Sequence, residues 1–299
     1  MNSVKIIAGP CSIDNENLRE IYELAEIKIN GKYALWGTRV VGLKSRTNFN
    51  YKGEGMGIDF EVFLKNLNSY QKQNLKIPPS VKIAEKIVKE TNLLVATEIM
   101  DPLLQIPFYE KRIPENKLLF WNPAVNQLGW PILIMSFFVK KNNWFLGIKN
   151  PKWLGDYKKK ADSLTYKGRT SMEKTWEGLV TYANLPKERI ILIHRGVDIP
   201  EKGKYRNAPL HNLALRVKKH TGCLLFFDPS HSYGPKMREK IVPATIQAMK
   251  RKIDKNEYLY DGILIEVGTS KTDSEQHISI RELKILIKEI SKFRDIEGR

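Results

Sequence analysis

Eight short runs rich in β-branched and aromatic residues recur along the chain, near 4–8, 34–43, 93–99, 118–121, 144–149, 189–194, 223–228 and 260–266. Between them, apolar residues return at close to helical spacing. Examples are Leu18, Ile21, Tyr22 and Ala25; Val81, Ala84, Ile87 and Val88; and Met172, Trp176, Leu179 and Val180. Ile241, Ala244, Ile246 and Met249, then Leu283, Ile285, Leu286 and Ile290, continue the pattern. Strand runs alternating with 3.6-residue periodicity predict parallel strands joined by helical crossovers. The fold class expected is α/β, a TIM (β/α)8 barrel, in preference to an open doubly wound sheet. At 299 residues the chain suits one domain spanning 1–299.

Punctuation refines the pattern. Asp14 or Asn15 is placed to cap the first helix and Gly31 to end it, while Ser171 before Glu173 marks a cap and Glu201 before Gly203 a loop. Two stretches read as insertions into a minimal barrel. Residues 59–79, ending in Pro78-Pro79, suit an extra helix and turn, and the lysine-rich 152–170 suits a loop that could cover a site.

Composition narrows the function classes. The chain is 42% hydrophobic and 28% charged, and no apolar run reaches the ~18 residues a bilayer span needs. The N-terminus enters Gly9-Pro10-Cys11 without a signal-peptide apolar region, so a cytoplasmic location is expected. Net charge is +17, but lysines are spread out and aromatics sit among aliphatics, so neither nucleic acid nor membrane is an expected partner. A solvated lysine-rich surface, or a field steering small anionic substrates, accounts for the excess.

The apolar runs end in residues able to do chemistry: Cys11, Lys44 and Arg46, Glu98, Lys149, His194 and Arg195, Asp228 and His231, and Glu266. In a parallel barrel these ends meet at one mouth. One thiol, one imidazole and two carboxylates (Cys11, His231, Glu266 and Asp273) could converge there, a mixed donor set suiting Mn, Fe, Co or Zn without selecting among them. Taken alone, Cys11 reads as a packed small residue and His231 as a loop histidine holding a turn. A second group is suited to anions: Arg39, Lys44 and Arg46 around the second strand end with the Thr47 hydroxyl, Lys149 after the fifth strand and Arg195 after the sixth. A cation at the edge of an apolar strand needs an anion to meet.

Gly9-Pro10-Cys11-Ser12, Lys44-Ser45-Arg46-Thr47, Thr97-Glu98, Lys149-Asn150-Pro151, His194-Arg195-Gly196, Tyr205-Arg206-Asn207, Asp228-Pro229-Ser230-His231, Asp261-Gly262 and Ile265-Glu266 follow one another in order. Together they resemble the landmarks of the class I 3-deoxy-arabino-heptulosonate 7-phosphate (DAHP) synthases across nearly the whole chain. The resemblance implies a metal-dependent, aldol-type condensation of phosphoenolpyruvate with erythrose 4-phosphate on a TIM barrel, the first step of the shikimate pathway. It assigns the divalent metal to Cys11, His231, Glu266 and Asp273, and phosphoenolpyruvate to Arg39, Lys44, Lys149 and Arg195. Arg46 and Thr47 would take the aldose phosphate, Lys44 would serve as proton donor, and Cys11, His231 and Lys44 would form the catalytic group. The partners expected are these phosphorylated small molecules and further copies of the chain in a homo-oligomer.

The related 3-deoxy-manno-octulosonate 8-phosphate synthases carry Lys-Ala-Asn-Arg-Ser where this chain has Lys44-Ser45-Arg46-Thr47, so the shorter form favours the four-carbon aldose. A synthase using arabinose 5-phosphate and a non-catalytic barrel are the alternative readings. Three departures from the family pattern stand out: Ser45 replaces proline, Asn122 stands where a phosphate-binding arginine is expected, and Gly268 replaces histidine. The step from Glu266 to Asp273 is also short for the family.

Overall fold

The computed structural model describes residues 3–44, 56–69, 75–123, 128–153, 170–272 and 274–299. Eight parallel strands form a closed ring: β1 Ser3–Gly9, β2 Gly37–Arg39, β3 Leu94–Glu98, β4 Leu118–Trp121, β5 Phe145–Lys149, β6 Ile190–His194, β7 Leu224–Phe227 and β8 Gly262–Glu266. Neighbours in sequence are neighbours in the ring, and β8 closes on β1 with Ile7 opposite Leu264 and Gly9 opposite Glu266. The protein is a single-domain TIM barrel, as the alternating pattern predicts. The second strand is shorter than its apolar run, though Trp36 and Val40 extend the hydrogen bonding on either side of it.

The crossovers carry α1 Leu18–Ala25, α2 Phe60–Ser69, α3 Pro79–Thr91, α4 Pro102–Gln105, α5 Gly129–Asn142, α6 Ser171–Ala183, α7 His211–Thr221, α8 Pro229–Tyr233, α9 Ile241–Met249 and α10 Ile280–Ser291. Helix α2 lies within 59–79, and most of 152–170 is outside the described residues. Helix α4 is a single turn that runs on into a 3-10 turn at Ile106–Phe108, and Ile106, Tyr109 and Ile113 pack on the outer core. A short antiparallel hairpin, Lys28–Ile29 with Lys32–Tyr33, follows α1, and a strand at Asp295–Glu297 pairs in parallel with Ser3–Lys5 of β1.

Three local expectations are corrected. Gly31 does not end α1; its φ of +78° serves the tight hairpin turn after Asn30, and Glu26 closes the helix. Neither Asp14 nor Asn15 caps α1: Asn17 holds that position, while Asp14 Oδ1 accepts from the Glu16 and Asn17 amides just ahead. In α6 the cap is Thr170 rather than Ser171, because Thr170 Oγ1 accepts from the Glu173 amide and Glu173 Oε2 accepts from the Thr170 amide in return.

The core has two compartments. Inside the barrel, Ile7, Leu94, Ala96, Leu119, Trp121, Ile191, Ile193, Phe226 and Leu264 fill the bore, with Trp36 edge-on to Phe145 and Phe226 beneath. Outside it, the opposite faces of the same strands, including Val95, Phe120, Leu146 and Leu192, pack on the helices. Both faces of a TIM-barrel strand are therefore apolar, which is why the strand runs read as continuous.

Candidate active site

Period-two alternation decides which strand-end residues reach the mouth. Counting two residues on from Ala96, Ile193, Phe226 and Leu264 brings Glu98, Arg195, Asp228 and Glu266 to the inner side of the C-terminal rim. Lys149 ends β5 in the same way, two residues after Gly147. A Cβ on Gly147 would lie 2.9 Å from the Ile193 side chain and 3.2 Å from Trp121 Cβ, so the missing side chain leaves room for Ile193 and the stem of Trp121.

The Trp121 indole is the floor of the site. Trp121 Nε1 donates to Glu98 Oε2 at 3.1 Å, and Lys149 Nζ donates to the same oxygen at 2.5 Å. Lys149 Nζ stands 5.3 Å and the Arg39 guanidinium 5.9 Å from the Trp121 ring centre, so one indole ring serves two cations. Arg39 then donates to Glu266 Oε1 at 3.0 Å and to the Pro10 carbonyl at 3.0 Å. Gln276 Nε2 donates to Glu266 Oε2, and Arg206 donates to Gln276 Oε1.

Burial and charge pull these groups in opposite directions. Burial works to raise the Glu98 carboxyl, but Lys149 and Lys44 outweigh it and hold Glu98 well below the usual carboxylate range. Glu266 is held down likewise, against burial, by His231 and Arg39. Lys149 is pushed down to about 8, because desolvation by burial exceeds the support from Glu98. Lys44 goes up despite burial, supported by the fields of Cys11, Glu98 and Glu266, so it carries its charge into the mouth. Arg195 has its Nε buried without a hydrogen-bond partner among the described residues, and its main-chain N–H is fixed by Asn150 Oδ1 at 2.8 Å.

The Lys44 approach is built from behind. The Lys44 amide donates to the Met56 carbonyl at 2.8 Å and the Asp59 amide to the Gly42 carbonyl at 3.0 Å. Asp59 is itself keyed to the start of α3, accepting from the Ser80 amide at 2.9 Å and the Ser80 hydroxyl at 2.5 Å. Gly42 has no room for a side chain there, since a Cβ would meet Asp59 Oδ2 at 2.1 Å.

On the opposite side of the mouth, Asp228 caps α8 by accepting from the His231 amide at 3.0 Å, and its second oxygen faces His231 Nδ1 at 2.8 Å. His231 Nε2 lies 3.7 Å from Glu266 Oε1. Burial keeps His231 below its ordinary value in spite of Asp228 and Glu266, which favours a neutral imidazole. Cys11 is buried; its main-chain N–H donates to His277 Nε2 at 2.8 Å, and burial followed by the Glu266 charge pushes its thiol up. Ser12, hydrogen-bonded to Thr272 at 2.8 Å, ties the 270–272 segment over this corner.

Thiol, imidazole and carboxylate are the donor types a borderline divalent cation takes, and Cys11, His231 and Glu266 supply one each. Among the described residues, however, no three His, Cys, Asp or Glu side chains stand together as a ligand shell, and Glu266 is engaged by Arg39 and Gln276. Asp273, Arg46 and Thr47 lie outside the described residues.

The fold has a counterpart among solved structures. The crystal structure of phospho-2-dehydro-3-deoxyheptonate aldolase (DAHP synthase) from Thermotoga maritima matches 97% of this chain and 69% of its own, at 17% identity and a TM-score of 0.67. The barrel is DAHP-synthase-like. At that identity the likeness is one of fold. No family model and no curated protein matches the sequence.

Within this barrel the structure brings Arg39, Lys44, Lys149 and Arg195 to the rim beside Glu98 and Glu266, with Cys11 and His231 adjoining. His194 is the exception among the strand-end residues. It faces outward between the wall and the helices, where Nδ1 pairs with the Tyr260 hydroxyl at 2.7 Å beside Trp176, Phe227 and His211. Burial holds it well below its usual value, so it is neutral and structural. Trp121, Gln276 and His277 were not singled out from sequence. For Trp121 a clue exists in its two-residue step from Leu119; for the other two, placement depends on how the loop after β8 folds back.

Proposed function

We propose that the mouth binds phosphoenolpyruvate and condenses it with a phosphorylated aldose, erythrose 4-phosphate first among them. The observation that supports this most is the set of four buried cations, Arg39, Lys44, Lys149 and Arg195, gathered over two carboxylates on an aromatic floor. Such a surplus of desolvated positive charge is costly unless a multiply charged anion occupies it. A small enol phosphate with a carboxylate carries the required charge in a compact body, and guanidinium and ammonium groups suit its two anionic ends. The resemblance in motif order adds the identity of the second substrate.

In this reading the enol carbon attacks the aldehyde carbon, forming the new C–C bond. Water adds at the neighbouring carbon and phosphate departs by C–O cleavage. Phosphoenolpyruvate, aldose phosphate and water thus give the DAHP-type product and inorganic phosphate. Lys44, charged and beside the mouth, donates a proton to the developing alkoxide. Glu98 holds Lys149 in place, and Trp121 excludes water from below. Cys11, His231 and Glu266 supply donor types a divalent metal takes, the resemblance adds Asp273, and a metal held by them would polarise the aldehyde.

Phosphate release from phosphoenolpyruvate, measured with erythrose 4-phosphate and with arabinose 5-phosphate, with and without chelator, tests the reading. Turnover with the four-carbon aldose that chelation abolishes and Cys11→Ala impairs is expected. No phosphate release with any aldose, together with metal-free purified protein, overturns it. The KM for phosphoenolpyruvate is expected to rise as pH passes about 8, where Lys149 sheds its proton and one binding charge is lost.

A further inference from the structure

Three motifs of the sequence, Lys149-Asn150-Pro151, His194-Arg195-Gly196 and Tyr205-Arg206-Asn207, contain residues to which the proposed reaction gives no part, Asn150, Gly196 and Asn207 among them. In the folded chain these three interlock. Asn150 is buried one residue past the end of β5, and its main-chain N–H donates to the Ile193 carbonyl at 2.9 Å. Its side chain turns both ends to the exit of β6. Oδ1 accepts from the Arg195 amide at 2.8 Å, and Nδ2 donates to the Gly196 carbonyl at 2.8 Å and, at 3.3 Å, to the Pro151 carbonyl. A carboxamide can grip a main chain in this way because it carries an acceptor and a donor side by side.

The same exit is gripped from its other side. Gly196 has a φ of +78°, and a Cβ there would lie 2.3 Å from the Asn207 carbonyl oxygen, so the 205–208 segment closes directly on it. Val197 and Ala208 exchange main-chain hydrogen bonds at 2.9 and 2.8 Å. Asn207 is anchored in turn, donating from Nδ2 to the His231 carbonyl at 2.6 Å and from its amide to the Ser232 carbonyl at 3.0 Å. The main chain at Arg195 is thus clamped between Asn150 and the 205–208 segment. That clamp decides where the side chain stands. Arg39 is tethered by Glu266 and the Pro10 carbonyl, and Lys149 by Glu98, whereas Arg195 Nε is buried with no hydrogen-bond partner among the described residues.

We infer that Asn150 is a positioning residue for Arg195, holding its main chain in place before any ligand arrives so that the guanidinium meets the same anion as Lys149. The inference rests on the anion-binding role proposed for these two cations. Because Asn150 directly follows Lys149, one residue ties the exits of β5 and β6 together and sets the spacing of the two charges. A guanidinium grips phosphate or carboxylate through a fixed fork, so its grip depends on where its main chain is held. Without the Asn150 side chain, the Arg195 N–H and the Gly196 carbonyl lose their partner and the exit of β6 is free to shift. Misplacing a binding group by about 1 Å can cost on the order of 100-fold. A cation held in advance also spares the anion the entropy of ordering it.

Calorimetry on the full chain with phosphoenolpyruvate reads the inference without turnover, and inorganic phosphate reads the same cations should phosphoenolpyruvate not be the ligand. Asn150→Ala is expected to weaken anion binding about 10-fold or more. The decisive comparison is Asn150→Ala/Arg195→Gln, which should bind within about 2-fold of Arg195→Gln alone, since Asn150 acts through Arg195. An asparagine with a merely structural role would add its loss in full. Additive losses, unaltered affinity in Asn150→Ala, or wild-type protein that binds neither anion overturns the inference. Absence of phosphate release with every aldose, while anion binding and its non-additivity persist, overturns the proposed reaction and leaves the positioning role standing. If Asn150→Ala does not fold, hydrogen exchange on the wild type decides. The Arg195 amide must be protected at least ~100-fold before any anion is added, and an amide that becomes protected only when the anion binds refutes the positioning role.

Discussion

Asp59 shows how one buried carboxyl can hold a functional loop and set a pH dependence. Its side chain is keyed to Ser80 at the start of α3, and its amide fixes Gly42, two residues before Lys44. Burial pushes its pKa up to about 6, against the two hydrogen bonds from Ser80. The folded state therefore binds the proton more tightly than the unfolded chain. Stability from this group is full below pH 3.8 and is lost as pH rises through 6, a loss of about 3 kcal/mol. Glu98 and Glu266, whose values are depressed, finish titrating at lower pH, but the buried histidines His194, His211 and His231, held below their ordinary value, add stability as pH rises toward 6.5, so Asp59 is read from the difference between variant and wild type. In thermal melts Asp59→Asn should gain on wild type progressively as pH rises from about 4 to 6. A difference between variant and wild type that stays constant across that range would assign the pH dependence to another group. None of this was legible in the sequence, where Asp59 is one acidic residue at the edge of a suspected insertion. His194 and Arg195 make the same point: the motif names both, and only the strand parity turns one toward the helices and the other toward the substrate mouth.

At the scale of elements, legibility follows how one-sided each element is. Strands buried on both faces form dense apolar runs, and amphipathic helices such as α1 and α10 repeat visibly at 3.6 residues. Helix α5 lacks that contrast and leaves no periodic trace. The cap of α6 slips by one residue because Ser is the better cap by type, whereas the Thr170-x-x-Glu173 spacing of a capping box, with its reciprocal bonds, chooses Thr170. Thr170→Ala removes half of that box, since Glu173 can still accept the Thr170 main-chain N–H. A loss of about 1 kcal/mol is expected by denaturant melts, whereas Ser171→Ala should cost little. Equal costs for the two would mean that the box is not what anchors α6.

For the whole molecule, the architecture was the most legible feature and the arrangement of the mouth the least. Eight alternations suffice for the barrel, but the partners of Glu266 come from residues 39, 231 and 276, which only closure of the ring brings together. The charge excess acts at this scale as well. With +17 spread over one barrel, self-repulsion opposes compactness, and salt should relieve it. Raising ionic strength from about 0.01 to 0.15 M shortens the screening length from about 30 to 8 Å. The melting temperature is expected to rise over that range; a fall would show that attractive surface pairs outweigh the net charge.

Gly147 is a small omission with a large reach. Because it leaves its place to Ile193 and the stem of Trp121, the upper bore is filled up to the Trp121 ring, with a plug of apolar side chains below it. The barrel is then a blind well rather than a pipe. Every water molecule, proton and product that leaves the rim must leave by the route it entered, so the traffic of any reaction here is decided wholly by what stands over the open end.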